Sequence, residues 1–343
     1  CPQYLMPIPC ATTVQFTSTD PRRGTQHLPI GTRLNSVPVF GTSCTFHSSY
    51  ETSVHPITLE SVRQIGRSLR LNFQLEEGAR FDELDLKRLR LHLHGHPRYM
   101  LYLGLSRYIE KLTAFGDADR EPIAFTQDNI EPVGFEEKLL PDPTPSFAGL
   151  GLLSEYFVFP DQFMYVEIVG LEALRGKVAQ QFELQIEFDR DFDLPIFIDP
   201  DQIRLNCTPA VNRFPMDSRP IEVDGTRLEY PIVVDVNLSE PSMDGREHYK
   251  IYSVDRVLAW AQETLGPRKY EPFYSFKHGF VRRKDTVYYQ THLRGRSPTI
   301  SFVPSGDGVP AVDEVSLKLT CSNGRLPEHL RLGSISGEMP DVE

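Results

Sequence analysis

The chain has 343 residues, 40% of them hydrophobic and 24% charged, with a net charge of −11. That length exceeds the commonest single domain, and the apolar share can bury a sizeable core, so two domains are expected. No run approaches the roughly 18 apolar residues of a membrane helix, and the acidic balance disfavours a general nucleic-acid surface.

The five cysteines, Cys1, Cys10, Cys44, Cys207 and Cys321, are odd in number and widely spaced, and none form a Cys-x-x-Cys pair. A disulfide framework or thiolate zinc site is therefore not expected, and a reducing compartment fits. The sequence opens at Cys1 without a charged-then-apolar leader, so no secretory signal is expected, and it reads as a piece of something longer.

Residues 1–60 are rich in Pro, Thr and Ser, which predicts edge strands and long connections. Over Arg67–Leu75, Leu69, Leu71, Phe73 and Leu75 alternate with Arg70, Asn72 and Gln74, the pattern of a half-buried strand. Leu89, Leu91 and Leu93 repeat it opposite Arg90, His92 and His94. Pro97 suits a first helical turn, and Leu101, Leu105, Tyr108 and Leu112 predict a helix over about 97–115. A proline-dense loop precedes a second helix over about 146–159, stopped by Pro160. Phe163–Val169 and Phe182–Phe188 read as strands.

The run Asp189–Pro200, with four acidic residues and two prolines, is placed as a boundary or crossover. The expected domains are thus 1–196 and 197–343. Strand-like runs follow at 203–207, 228–236, 248–254, 286–293, 298–303 and 314–321. Val254, Val257, Leu258, Ala261 and Leu265 match a helical stripe ending at Gly266-Pro267. The predicted fold class is α+β, strand-dominated, with two β-rich domains and a few packed helices.

Motifs that could carry chemistry are sparse. His92, His94 and His96 would share one face of a strand and could ligate zinc or nickel. A polar strand face needs hydrophilic residues in any case, and that reading is preferred; a metalloenzyme is the third-ranked function. Asp189, Asp191 and Asp193 lack the glycine and terminal glutamate of a calcium loop. No Gly-x-Ser-x-Gly elbow, Walker-type loop or dinucleotide fingerprint is present, so no catalytic residues, metal or cofactor are assigned. Residues 266–296 hold eight basic against two acidic side chains, with aromatics interleaved. Such a stretch can bind single-stranded nucleic acid, the second-ranked function, but an aromatic core face with a basic solvent face is preferred.

Several segments, in order, resemble the TssF (ImpG/VasA) family of the bacterial type VI secretion system. They are Tyr4–Pro9, Leu89–Gly95, Leu152–Phe163, Ile203–Phe214 (Ile-Arg-Leu-Asn-Cys-Thr-Pro-Ala-Val-Asn-Arg-Phe), Tyr252–Asp255, Tyr270–Phe276 and Cys321–Pro327. The resemblance implies a non-enzymatic scaffold similar to the wedge proteins of contractile-phage baseplates, from a family whose members extend further at both ends. It implies a wedge in which two TssF chains embrace one TssG, joined by TssE and TssK around a VgrG hub. It also implies a place in the cytoplasm at the inner face of the envelope, with no nucleic acid and no membrane insertion. Within the matching segments, Glu155, Tyr156, Phe157, Phe159, Pro160, Asn206, Cys207, Pro209, Asn212, Tyr252, Pro272 and Phe273 are the candidate structural or interface residues. Phe157 and Phe159 are expected in the core, and Tyr156 is left open between core and interface. Asn206 and Asn212 are expected to bind backbone groups at an irregular turn, and Cys207 to be a small buried apolar residue.

Overall fold

The computed structural model describes residues 8–136, 138–140, 148–192, 194, 197–236, 248–261, 269–273, 286–293, 298–304 and 313–330. The chain divides into two compact units. One takes Ala11–Thr32 and Ser48–Val211; the other takes Arg33–His47 and the chain from Asn212 on, with residues 8–10. The division therefore falls between Val211 and Asn212, not at 196–197. The physical reason is that Phe197–Ile198 pairs with Ile57–Ile65 and Ile203–Leu205 pairs with Arg88–Leu93, which keeps the chain past Asp189–Pro200 in the first unit.

The first unit is built on two antiparallel sheets. The larger runs Ile123–Phe125, Ile109–Gly116, Gln181–Phe188, Ser68–Leu75, Ile57–Ile65, Phe197–Ile198. The smaller runs Ile130–Val133, Tyr165–Val169, Arg88–Leu93, Ile203–Leu205. Alternation decides which face is buried. Leu69, Leu71, Phe73 and Leu75 of the larger sheet join Leu89, Leu91 and Leu93 of the smaller in one core. Each such side chain contributes about 1.5–3 kcal/mol on leaving water. Phe73 and Phe182, directly paired across the strands, stack with centroids 4.7 Å apart. Helix α1 (Arg98–Arg107) adds Leu101 and Leu105 to this core. Its Gly104 lies where a Cβ would come within 3.1 Å of the Phe188 ring. Helix α2 (Ala148–Val158) leads through a proline-started 3-10 turn, Pro160–Phe163, into the strand Tyr165–Val169.

The helix expected over 97–115 is shorter. It stops at Arg107, and Ile109–Gly116 is a strand pairing with Gln181–Phe188 and Ile123–Phe125. Leu112, Ala114 and Gly116 are buried at a spacing of two, and pairing on both sides overrides the local helical spacing.

In the second unit, Asp313–Ser322 is the central strand. It pairs with Phe214–Asp217 and Ile221–Val223 along one edge and with Lys250–Ala261 along the other. A further sheet runs Tyr230–Pro231, Thr299–Pro304, Thr286–His292, Lys269–Pro272, with its last pair parallel. Both contribute to one core containing Ile221, Tyr289, Ile300, Val315, Leu317 and Leu319. The helical stripe expected from Val254 is a strand as far as Ala261; Leu265 and Gly266-Pro267 lie outside the described residues. Two register shifts, at Ile251/Ser253 and Val254/Arg256, put Ile251, Val254 and Val257 opposite Cys321, Leu319 and Leu317. Each inserted residue stretches the two-residue repeat to three, which is why a bulged strand imitates a helix in sequence. Of the expected 228–236 run, only Tyr230–Pro231 is a strand.

Candidate interface residues

Helix α2 packs Leu152 against the core and sends its charge the same way. Its one charged residue, Glu155, is 3% exposed and faces inward. The Leu140 N–H donates to Glu155 Oε1 and the Gln162 side-chain amide to Oε2, both at 2.8 Å. The Gln162 carbonyl in turn accepts from the Tyr50 hydroxyl at 3.2 Å. A buried carboxylate costs several kcal/mol unless donors replace its water, and these two donors come from the segments on either side of α2. Glu155 thereby fixes the rotation of the helix.

With Glu155 inward, the 100° step per residue sends its successors outward. Tyr156 is exposed, and Phe157 is 77% exposed, the opposite of its expected core position. Phe159 is half-buried and so also departs from the core reading, while Pro160 starts the turn after the helix. Tyr156 touches Phe157 at 5.7 Å and the buried Phe163 at 5.9 Å, and Phe135 meets Phe163 at 5.2 Å.

The Asn-Cys-Thr-Pro run is an interior device. Asn206 sits at φ 57°, the left-handed region that asparagine tolerates better than most residues. Its side chain accepts from the His55 N–H and donates to the His55 carbonyl, both at 2.9 Å, while its own carbonyl accepts from the Phe16 N–H. Cys207 is 1% exposed, and burial pushes its thiol up to about 12, which suppresses the thiolate. The Pro209 carbonyl accepts from the Ser49 N–H. In the second unit, Asn212 Nδ2 donates to the Thr45 carbonyl and to Asn323 Oδ1, and Asn212 Oδ1 accepts from the Asn323 N–H at 2.7 Å. Asn323 Oδ1 also accepts from the Thr45 N–H. Asn323 is fully buried, and spacing alone did not single it out, because its partner lies 111 residues away.

The remaining candidates are dispersed. Tyr252 is buried with the Arg213 guanidinium 5.7 Å from its ring centroid. Pro272 and Phe273 are exposed at a strand end, where the Phe273 N–H donates to the Tyr289 carbonyl. Of the three histidines, His92 and His94 are neighbours with ring centroids 5.9 Å apart, and His96 does not join them. His92 is 1% exposed, lies 4.5 Å from the Tyr165 ring, and is pushed by burial down to about 3; His96 is exposed beyond Gly95. Among the described residues no three His, Cys, Asp or Glu side chains converge on a metal-sized site. Most of the basic stretch, including Arg268, Lys277, Arg282–Lys284, Arg294 and Arg296, lies outside the described residues, as does Asp193. No helix among the described residues is long and apolar enough to cross a membrane.

Comparison with known proteins gives concordant results. A family model described as "Type VI secretion system, TssF" matches residues 1–341. The type VI secretion system component TssF1 of Pseudomonas aeruginosa is 25% identical, aligned over 97% of this chain and 60% of its own length. A chain of the cryo-electron-microscopy structure of a type VI secretion TssK-TssF-TssG baseplate subcomplex superposes with a TM-score of 0.75 at 27% identity. That superposition covers 95% of this chain and 62% of the other, so the sequence spans about three fifths of the relatives it matches.

Proposed function

The chain belongs to the TssF family of type VI secretion system proteins, and from that premise we propose that it is a structural wedge subunit of the secretion baseplate. It assembles with TssG, TssK and TssE around a VgrG hub, two TssF copies to one TssG. In this role it supports assembly of the tail tube and sheath and delivery of effectors, from the cytoplasmic side of the envelope, without catalysis. The observation that carries the reading is the superposition, at TM-score 0.75 over 95% of the chain, on a chain from a TssK-TssF-TssG subcomplex. The side-chain chemistry is of a kind with it. The most elaborate polar arrangements, at Asn206, Asn212 and Glu155, bind backbone and neighbouring amides inside each unit.

The test is co-expression of the full-length protein with the TssG-like and TssK-like proteins of the same gene cluster, with mass measured by light scattering after size exclusion. A complex holding two copies of the protein per TssG-like chain is expected. A well-folded protein that elutes alone from both would overturn the reading.

A further inference from the structure

Asn323-Gly324 is the one Asn-Gly pair in the sequence. Such a pair can lose ammonia without any enzyme. Asparagine is among the thermolabile residues, and glycine has no Cβ to keep its nitrogen away from the preceding side chain. In the reaction the Gly324 nitrogen attacks Asn323 Cγ. A bond forms between them, the Cγ–Nδ2 bond breaks, and Nδ2 leaves as ammonia with the proton of the Gly324 N–H. Water then opens the cyclic imide at either carbonyl, leaving an aspartate or a β-linked isoaspartate. Solvent is the only co-reactant, and nothing is oxidised or reduced.

The fold needs both residues where they stand. Gly324 sits at φ 56°, a conformation glycine adopts freely. Asn323 is fully buried, and its amide is tied on both sides. Oδ1 accepts from the Thr45 N–H at 3.0 Å and from Asn212 Nδ2 at 2.8 Å, while Nδ2 donates to the His248 carbonyl at 3.3 Å. The peptide between the two residues is pinned as well. The Asn323 carbonyl accepts from the Leu326 N–H at 3.0 Å, and the Gly324 N–H donates to Ser322 Oγ at 3.3 Å. The Asn323 N–H donates to Asn212 Oδ1 at 2.7 Å. Attack requires the side chain and this peptide to turn toward one another, and the Gly324 nitrogen to give up its proton. The bonds to Thr45, Asn212, His248 and Leu326 oppose the turn, and the bond to Ser322 holds the proton.

We infer that Asn323 is a deamidation site that folding holds closed, so that prolonged unfolding leaves a covalent mark which blocks the return. Thr45, Asn212 and His248 come from distant parts of the chain, so the protection belongs to the assembled second unit and not to the local turn. Neither product fits the cradle. An aspartate puts an oxygen where Nδ2 was, and that oxygen meets the His248 carbonyl while carrying a buried charge. An isoaspartate lengthens the backbone by a carbon inside the turn that Asn323 and Leu326 close. The inference stands apart from the wedge reading, because it concerns which chains stay competent to fold whatever they assemble with.

The experiment incubates the full-length protein in mildly alkaline buffer, with and without denaturing urea, and follows conversion of Asn323 by peptide mass spectrometry. Folded protein is expected to convert at least about 100-fold more slowly than unfolded, since reaction proceeds only through the opened fraction. Gly324→Ala is expected to slow conversion in urea, which identifies the Gly324 nitrogen as the attacking group. Asn212→Ala removes two bonds to Asn323 and is expected to convert faster than wild type in native buffer while matching it in urea. Should that variant fail to fold, Ser322→Ala takes its place and frees the Gly324 N–H. Asn323→Asp, one of the two products made genetically, is expected either not to fold or to lose about tenfold or more of its folding equilibrium. Conversion at the same rate with and without urea, within about twofold, overturns the inference. So does a faster reaction in the folded protein, an absence of conversion in urea, or an Asn323→Asp variant with the wild-type urea midpoint.

Discussion

Asn206 combines two requirements that few residues meet together. The backbone at φ 57° asks for Gly, Asn or Asp, and the buried His55 peptide asks for a donor and an acceptor at once. Asn206→Gly keeps the backbone relaxed but strands the His55 N–H and C=O, at a cost of about 1–3 kcal/mol. Asn206→Leu adds left-handed strain of about 1–2 kcal/mol, so it is expected to destabilise more than the glycine variant. Urea denaturation of the two variants tests this, and equal stabilities would show that the side-chain bonds alone matter. Asn212→Leu, which strands the Thr45 carbonyl and the Asn323 N–H, is expected to lie near the leucine variant in cost. The amide role of both positions was legible in sequence, because a short polar side chain between Leu205, Cys207 and Val211 has few uses other than bonding backbone. The outward setting of Phe157 was not legible. Aromatic residues at helical spacing look alike from either side, and only the inward bonds of Glu155 to Leu140 and Gln162 decide which side faces the core.

Strict two-residue alternation makes Ser68–Leu75, Arg88–Leu93 and Gln181–Phe188 legible as strands in the sequence. Elements that depart from their own period are not legible in this way. Ile109–Gly116 continues the spacing of α1, and Lys250–Ala261 is bulged twice. In both, what fixes the strand is a partner far away in sequence. The end of Ile109–Gly116 shows how tightly such a partner can hold. A Cβ on Gly116 would lie 2.0 Å from the Lys177 carbonyl oxygen, which is backbone and already accepts from the Ala118 and Asp119 N–H groups. Moving that carbonyl breaks both bonds, so Gly116→Ala is expected to cost about 2–4 kcal/mol despite its single added methyl. Gly104→Ala in α1 is the contrast. Its methyl would meet the buried Phe188 ring at 3.1 Å, a contact relieved by a few tenths of an ångström without breaking a backbone bond, and alanine recovers up to about 1 kcal/mol of helix propensity. Thermal melts of the two variants should therefore separate clearly, with Gly104→Ala within about 1 kcal/mol of wild type.

For the whole molecule, the response to acid follows from histidines that folding keeps neutral. Burial lowers His92 to about 3 and His55 to about 4, and it lowers His47 as well, all against an ordinary value of 6.5. The unfolded chain therefore takes up protons on these rings as pH falls through 6.5, while the folded chain does not until pH nears 4 for His55 and 3 for His92. Their contribution to stability is intact above pH 6.5 and drains away between there and about 3. The carboxylates that folding favours act lower. Asp224, held down by the Thr226 hydroxyl and N–H and the Tyr230 hydroxyl, loses its share only as pH drops below its ordinary 3.8. Between pH 6.5 and 4.5 the loss thus belongs mainly to histidine. Neither ring nitrogen of His92 has a hydrogen-bond partner among the described residues, and its ring lies against Tyr165. His92→Phe keeps that ring contact, removes two unsatisfied polar atoms, and leaves nothing to protonate. The variant is expected to match or exceed wild type at pH 8 and to gain on it steadily down to pH 5, as measured by urea midpoints across that range. An identical pH slope in wild type and variant would mean that His92 is hydrated and free to charge in the folded state, and that His55 and His47 carry the acid response alone.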